Sequence, residues 1–390
     1  MRVLYVVPEI ALPGTHGGAA HVMSKLVSFK RLKHEVILIC KKSSGQRWYE
    51  KEPLRTTIRL PVPSFSLLKV FCYFLFSFVI CLYYLCKGKV DIVYERGRIY
   101  GGTGVLAAWL CKVKSIYEIN EPYYEVPVLL GKKSKKSLFF KTTRFWHFVI
   151  INKATLLTIT YDSLIKHGVV PKEKTYITST GVDTRLFAPS PSPITKKYNL
   201  TNKFVVLYTG SFAPWHACEN IIKVAQYIAK QHKNIIFILA GEGKSLPQYK
   251  KLVTDLKLTD TIIFPGKVPH NKVPQYVNAA DVCLALFDRT YPPFKKYSFY
   301  YYPVKLNEYK ACGKPIIASN FGNLAKVIKP KINGLLVNER NTKDVANAII
   351  TLAKNDSLCK KIGKNNRKEA VELYDWDKET TTILNAVKKI

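Results

Sequence analysis

The stretch Pro303–Ser319 (PVKLNEYKACGKPIIAS) carries a lysine, Lys305, and a carboxylate, Glu308, at a helix start, followed by a glycine stop and a strand of buried type. Open α/β sheets bind ligands beyond the carboxyl ends of their strands, where such helix starts point. A carboxylate there can bridge the hydroxyls of a ribose while Lys305 or nearby amides meet phosphate; the other reading of Glu308 is an ordinary solvated helix residue. Gly17 and Gly18 follow the first strand-like run, MRVLYVV. In a loop their amides approach a phosphate at a helix N-terminus, or they form a tight turn for close packing. The full GxGxxG fingerprint is absent, which argues against a nicotinamide or flavin enzyme, and no cofactor is expected. Asp375-Trp376-Asp377 spells DxD, but it stands in the tail and not after a nucleotide-binding strand. It reads as a helix N-terminus, and no catalytic metal is expected.

The elements that position these residues alternate. Arg2–Val7 reads as a strand, then comes a loop, then a helix from Ala19 to about Leu32; EVILIC, DIVY and KSIYEI supply further strands with helical segments between several of them. Such alternation argues for a parallel sheet covered on both faces. After Pro189, Pro191 and Pro193 the pattern restarts with FVVLYTG, NIIFILAGEG, TIIFPG, DVCLAL and KPIIAS. The expected organisation is an amino-terminal domain of residues 1–189, a carboxyl-terminal domain of 190–374, and a helix over 375–390 that crosses back to the first domain. A chain of 390 residues favours two cores on length alone.

Composition narrows the partners. Lys plus Arg (61) against Asp plus Glu (27) gives a net charge of +34, well beyond what solubility needs, so an anionic partner is expected. The nine cysteines form no CxxC pair and point to a reducing compartment. The start lacks the order of a signal peptide, so a cytoplasmic protein is expected. Val70–Cys86 is uncharged between Lys69 and Lys87. It is short for a span and lies inside a domain whose strands continue after it, so it reads as a helix buried on the sheet or lying in a membrane interface.

In chain order, GTHGGAAHV, VYERGR, YEINEP and STGVDTRLF, then TGSFAPWHACENI, LAGEGKSLPQYKKL, IIFPGKVPHNKVPQYVNAADVCLAL, KLNEYKACGKPIIAS and NGLLVNERNTKDVANAI, resemble the landmarks of family-four retaining glycosyltransferases with the GT-B fold. The resemblance covers nearly the whole chain and implies an α/β fold of two facing Rossmann-like domains. It implies a nucleotide-sugar donor, a UDP- or GDP-sugar, on the carboxyl-terminal domain, with Glu308 on the ribose. The donor-binding positions carried over are Gly17 and Gly18, Gly210, Ser211 and His216, Gly241 and Val268, and Tyr300, Lys305 and Leu306. Many members place an arginine and a lysine where Ser211 and His216 stand here. Tyr300 and Lys326 likewise occupy positions of family glutamates, which bears on the identity of the sugar. Glu118 and Glu121 in YEINEP are the catalytic candidates near the acceptor, each with a structural alternative.

The basic and aromatic run GKKSKKSLFFKTTRFWHF, with Val70–Cys86, suggests docking on an anionic membrane, or else a solvated lysine run with buried aromatics. No recognised nucleic-acid fold is present, and no nucleic-acid partner is expected. The reading is therefore a retaining glycosyltransferase, peripheral on the inner face of the cell membrane, acting on a glycolipid, lipid-linked sugar or lipopolysaccharide-type acceptor. The alternatives are a non-catalytic membrane scaffold, or an epimerase or phosphorylase of the same fold.

Overall fold

The computed structural model describes residues 1–12, 17–42, 56–60 and 67–390. They form two compact units. The first holds Gly18–Ser179, the strand before it and Trp376–Ile390; the second holds Thr180–Asp375. The second unit thus begins upstream of the proline-rich run that the sequence suggested as the boundary. The prolines sit inside it, where Ser192 accepts from the amide of Ile194 and caps a short helix.

The first unit is built on strands β1 (Arg2–Leu12), β2 (Glu35–Lys42), β3 (Thr56–Leu60), β4 (Ile92–Arg96), β5 (Lys114–Glu118), β6 (Leu156–Ile159) and β7 (Thr175–Ile177). They form one parallel sheet in the order β3-β2-β1-β4-β5-β6-β7. β1 outruns the expectation that it ends at Val7: pairing with β2 slips between Val7 and Ala11, then resumes. Pro8 has no N–H to give a ladder, and a register shift is how a strand accommodates one.

The period of two along β1 divides the core. Val3, Tyr5 and Val7 face helix α1 (Gly17–Arg31), with Val22, Leu26 and Phe29, and the tail helix Trp376–Lys389, with Ile383, Leu384 and Val387. Leu4 and Val6 face the opposite way, onto α2 (Leu67–Cys86) and α3 (Thr103–Leu110), with Tyr73, Cys81, Leu85, Ala107 and Ala108. Residues buried on alternate sides of a sheet with both faces covered are the signature of parallel α/β layers. Glu95, wholly buried at the end of β4, accepts from the amides of Gly102 (2.6 Å), Gly104 (2.9 Å) and Val105 (3.0 Å), and so caps α3. Beyond these follow α4 (Val126–Leu129) and α5 (Leu138–Lys153). Among the described residues, no helix is long and apolar enough to cross a membrane.

The second unit carries β8 (Phe204–Thr209), β9 (Ile235–Ala240), β10 (Ile262–Gly266), β11 (Val282–Ala285), β12 (Ile316–Ser319) and β13 (Leu335–Val337), parallel in the order β10-β9-β8-β11-β12-β13. The chain order reverses between β8 and β11. At such a switch point the connections diverge to opposite faces and leave a crevice at the strand ends.

Candidate functional site

The strand ends at this switch point carry glycine for a geometric reason. Gly210 ends β8 at φ 142°, and Gly241 ends β9 at φ 157°. A Cβ on Gly241 would meet the carbonyl of Gly210, and one on Gly210 would lie 2.8 Å from Nζ of Lys305. The missing side chains let the ammonium group of Lys305 reach the end of β8. It arrives from the first turn of the Val304–Ala311 helix, which Tyr309 fixes to β8: the Tyr309 hydroxyl accepts from the amide of Thr209 (2.9 Å) and bonds its Oγ1 (2.8 Å). Asn307, fully buried in the same helix, accepts from Tyr302 (2.9 Å) and donates to the carbonyl of Thr180.

Nζ of Lys305 lies 4.2 Å from the ring centre of Tyr208 and 5.4 Å from that of Phe287, is buried, and has no hydrogen-bond partner. Burial draws its pKa down to about 8, against the opposing pull of Cys218 and Glu308. Next to it, Nδ1 of His216 is also buried without a partner. Burial, and then the charge of Lys305, hold that imidazole well below its ordinary pKa, so it is neutral. Its ring leans on Phe287 at 4.8 Å. A buried ammonium with cation–π contacts alone is an incomplete arrangement. An anion at the end of β8 would complete it, with the neutral imidazole available as a hydrogen-bond donor.

Glu308, one turn further on, is 6% exposed and bonds Nε2 of His270 at 2.7 Å. It is not a solvated helix residue. His270 opens a short 3-10 turn after β10, and its ring rests on Phe187 at 5.3 Å. Val268, half-buried, stands in the same connection, and Leu306 is buried in the helix. Ser211 is exposed, and its carbonyl accepts from the Tyr208 hydroxyl at 2.7 Å. Tyr300 is buried among Phe294, Tyr297 and Tyr301, with ring centres 5.7 to 6.1 Å away. Ser298 before it holds φ 58° and ψ −163°, a region nearly reserved for glycine. Lys326 lies exposed on a short helix after β12. The structure thus brings Gly210, Gly241, His216 and Lys305 together, with Glu308 a turn away.

The amino-terminal candidates have other settings. Gly17 and Gly18 are not in a loop: they form the first turn of α1, and a Cβ on Gly17 would meet nothing within 4 Å. Glu118, at the end of β5, is buried and fully engaged. It receives His21 (3.3 Å), Tyr94 (3.1 Å), Asn120 (3.0 Å) and Arg96, with Lys25 at 3.7 Å. Burial opposes its ionisation, but His21, Arg96 and Lys25 outweigh that and hold the carboxyl well below the usual range. It is an anion with little basicity. Glu121 is half-buried, and burial raises its carboxyl against the pull of Arg98 and Arg96.

A small cavity opens at the carboxyl ends of β5, β6 and β7, lined by Glu118, Ile119, Thr158, Ile159 and Thr178 together with Glu379 of the tail helix. Burial lifts Glu379 to about 7, despite Lys25 at 3.5 Å, and its Oε2 has no partner. Sequence reasoning missed His270, His21, Lys25 and Glu379, because each gains its role from a residue distant in the chain. It also missed Arg289, whose guanidinium pairs with the fully buried Glu339 at 2.8 and 2.9 Å. Among the described residues no group of three or more metal-ligating side chains comes together.

Comparison with known proteins covers both units. Residues 193–369 match the family of Glycosyl transferases group 1. The chain is 27% identical over 310 residues to an uncharacterized glycosyltransferase of Methanocaldococcus jannaschii, spanning 75% of this chain and 74% of that protein. It is 25% identical over 200 residues to a GDP-mannose-dependent alpha-(1-6)-phosphatidylinositol monomannoside mannosyltransferase of Mycobacterium tuberculosis, spanning 50% of this chain and 51% of that one. The crystal structure of Anabaena HepE in complex with UDP and glucose superposes with a TM-score of 0.75 at 17% identity, covering 100% of both chains. This last is a likeness of fold.

Proposed function

We propose, for a chain that belongs through residues 193–369 to glycosyl transferases group 1 and has the GT-B fold, the transfer of a sugar from a nucleoside-diphosphate sugar to a membrane-associated acceptor, with retention of configuration and without a catalytic metal. The donor sits on the second unit and the acceptor is received by the first, whose boundary with the second we draw at Thr180. The observation that carries this reading is the buried, unpartnered ammonium of Lys305 at the glycine-lined end of β8, one helical turn from Glu308.

In this reading the diphosphate lies at the end of β8. Lys305 supplies the charge that arginine and lysine supply at other positions in many family members, and the neutral His216 and the amides after Gly210 supply hydrogen bonds. Glu308, oriented by His270, takes the ribose hydroxyls, and the connection at Val268 borders the base. The bond from C1 of the sugar to the β-phosphate oxygen breaks, the acceptor oxygen bonds C1 on the same face, and its proton passes to the departing phosphate. Stabilising that leaving group is the largest task, and preorganised charge in a buried site performs it most effectively. Glu118, engaged and weakly basic, serves as a fixed negative charge in the acceptor unit and not as the base. The HepE complex with UDP and the GDP-mannose dependence of the mycobacterial relative support a UDP- or GDP-sugar here. The phosphatidylinositol mannoside acceptor of the latter supports a lipid-linked acceptor.

A thermal-shift series against UDP, GDP, ADP, CDP and dTDP tests the donor site, since a ligand of the folded state raises the melting temperature by mass action. One nucleotide is expected to give a clear shift that Glu308→Ala and Lys305→Ala abolish; a shift that both variants retain refutes the site. Tyr300 and Lys326, where the family carries glutamates, favour one second reading, a binding-only protein. It predicts nucleotide binding with no sugar released or transferred.

A further inference from the structure

Helices α2, α3 and α5 form one layer of the first unit. α2 lies along α3, and α3 touches α5. Phe74 of α2 meets Trp146 of α5 edge to face at 5.2 Å, and Ser77 donates to Thr103 at 2.9 Å. One side of α2 is therefore committed: Tyr73, Ser77, Cys81 and Leu85 are buried in the unit. The other side is apolar and open. Leu75, Phe76, Val79 and Tyr83 are 45 to 53% exposed, and their spacing places them on one stripe. On α5, Leu138 is 76% and Phe145 70% exposed.

Charge borders this apolar surface and all of it has one sign. Residues 67–90 and 126–161 contain no aspartate or glutamate. Lys87 and Lys89 are exposed at the end of α2; Lys132, Lys133, Lys135 and Lys136 precede α5, and Lys141 and Arg144 project from it. Exposed apolar side chains are ordinary when scattered, but a helical stripe of them rimmed by cations is the pattern of a surface that lies in a membrane interface. A second copy of the chain would bring the same cations against them. Nucleic acid would leave the stripe unused.

We propose that this layer docks the protein on a bilayer containing anionic phospholipids. The α2 stripe, with Phe145 and Leu138, enters the boundary between headgroups and acyl chains while the lysines meet the headgroups. The proposal rests on the transferase reading only in that it locates the surface from which a lipid-linked acceptor is drawn.

Co-sedimentation of the full chain with vesicles tests it, using phosphatidylcholine alone and phosphatidylcholine mixed with phosphatidylglycerol, at low and high salt. The wild type is expected to prefer the anionic vesicles. The double change Phe76→Gln with Val79→Gln should weaken that partition by about tenfold or more even at low salt, because two apolar side chains no longer leave water. Replacing Lys132, Lys133, Lys135 and Lys136 by glutamine should remove the preference for anionic lipid. Both variants should keep the wild-type nucleotide thermal shift, which shows that they fold. Wild-type protein that ignores both vesicles, or a Phe76→Gln/Val79→Gln variant that binds like wild type, overturns the proposal. A lipid-independent oligomer that this variant dissolves would do the same, since the stripe would then be a contact between copies. A lost nucleotide shift with vesicle binding intact would count against the transferase reading alone.

Discussion

Lys305 is the residue on which the proposed donor site turns, and its chemistry makes a pH prediction. Burial draws its pKa to about 8, below the 10.5 of a free lysine, so holding the proton there costs stability below pH 8 and nothing above 10.5. A bound diphosphate favours the charged form and raises that pKa. Nucleotide affinity should therefore be flat below pH 8 and fall as pH rises beyond it, by up to about tenfold per unit. Binding near pH 8 should take up about half a proton, read from calorimetry in buffers of different ionisation heat. Lys305→Ala should flatten both dependences and weaken binding by roughly 10- to 100-fold, the worth of a hydrogen bond to a charged group. A Lys305→Ala protein with an unchanged pH profile would show that the cation lies outside the phosphate site. Lys305 and Glu308 were legible in the sequence because a cation and a carboxylate one turn apart, ahead of a glycine stop, are a local pattern. His270 was not, because it meets Glu308 only through the fold.

At the scale of elements, the strands and most helices followed from the alternation of apolar runs and punctuating glycines. The sequence signals failed at particular places. Gly17 and Gly18 looked like a loop but open α1, and Pro8 looked like a strand end but sits at a register shift within β1. The tail helix shows what only packing discloses: Trp376 is 1% exposed, edge-on to the His21 ring at 4.8 Å and under Nζ of Lys25 at 5.3 Å. Trp376→Ala should cost about 3 to 5 kcal/mol of stability in the first unit, measured by denaturant unfolding. A loss below about 1 kcal/mol would mean that the tail is not integral to that unit. The same helix carries Glu379, raised by burial to about 7. A carboxyl whose folded pKa exceeds its unfolded value stabilises below the unfolded pKa of about 4.5, and that contribution is lost as pH rises through about 7. Glu379→Gln should raise the melting temperature at pH 8 relative to wild type and have little effect at pH 4.5. Equal effects at both pH values would contradict the buried, half-protonated carboxyl.

For the whole molecule, length and the restart of the strand pattern announced two α/β units, while the +34 charge raised the expectation of an anionic partner without saying which. Charge is a sum, whereas the partner is chosen by where apolar and basic side chains come to the surface together, which the sequence alone leaves open. In the proposed function the second unit holds a nucleoside diphosphate against Lys305 and Glu308. Isothermal titration of UDP and of GDP into the full chain at pH 7, in the presence of EDTA, tests it most directly, with Glu308→Gln and Lys305→Ala titrated alongside. Saturable 1:1 binding of one of the two nucleotides is expected, surviving EDTA and dropping by about tenfold or more in each variant. Binding that EDTA abolishes, or that both variants retain at wild-type strength, would contradict it.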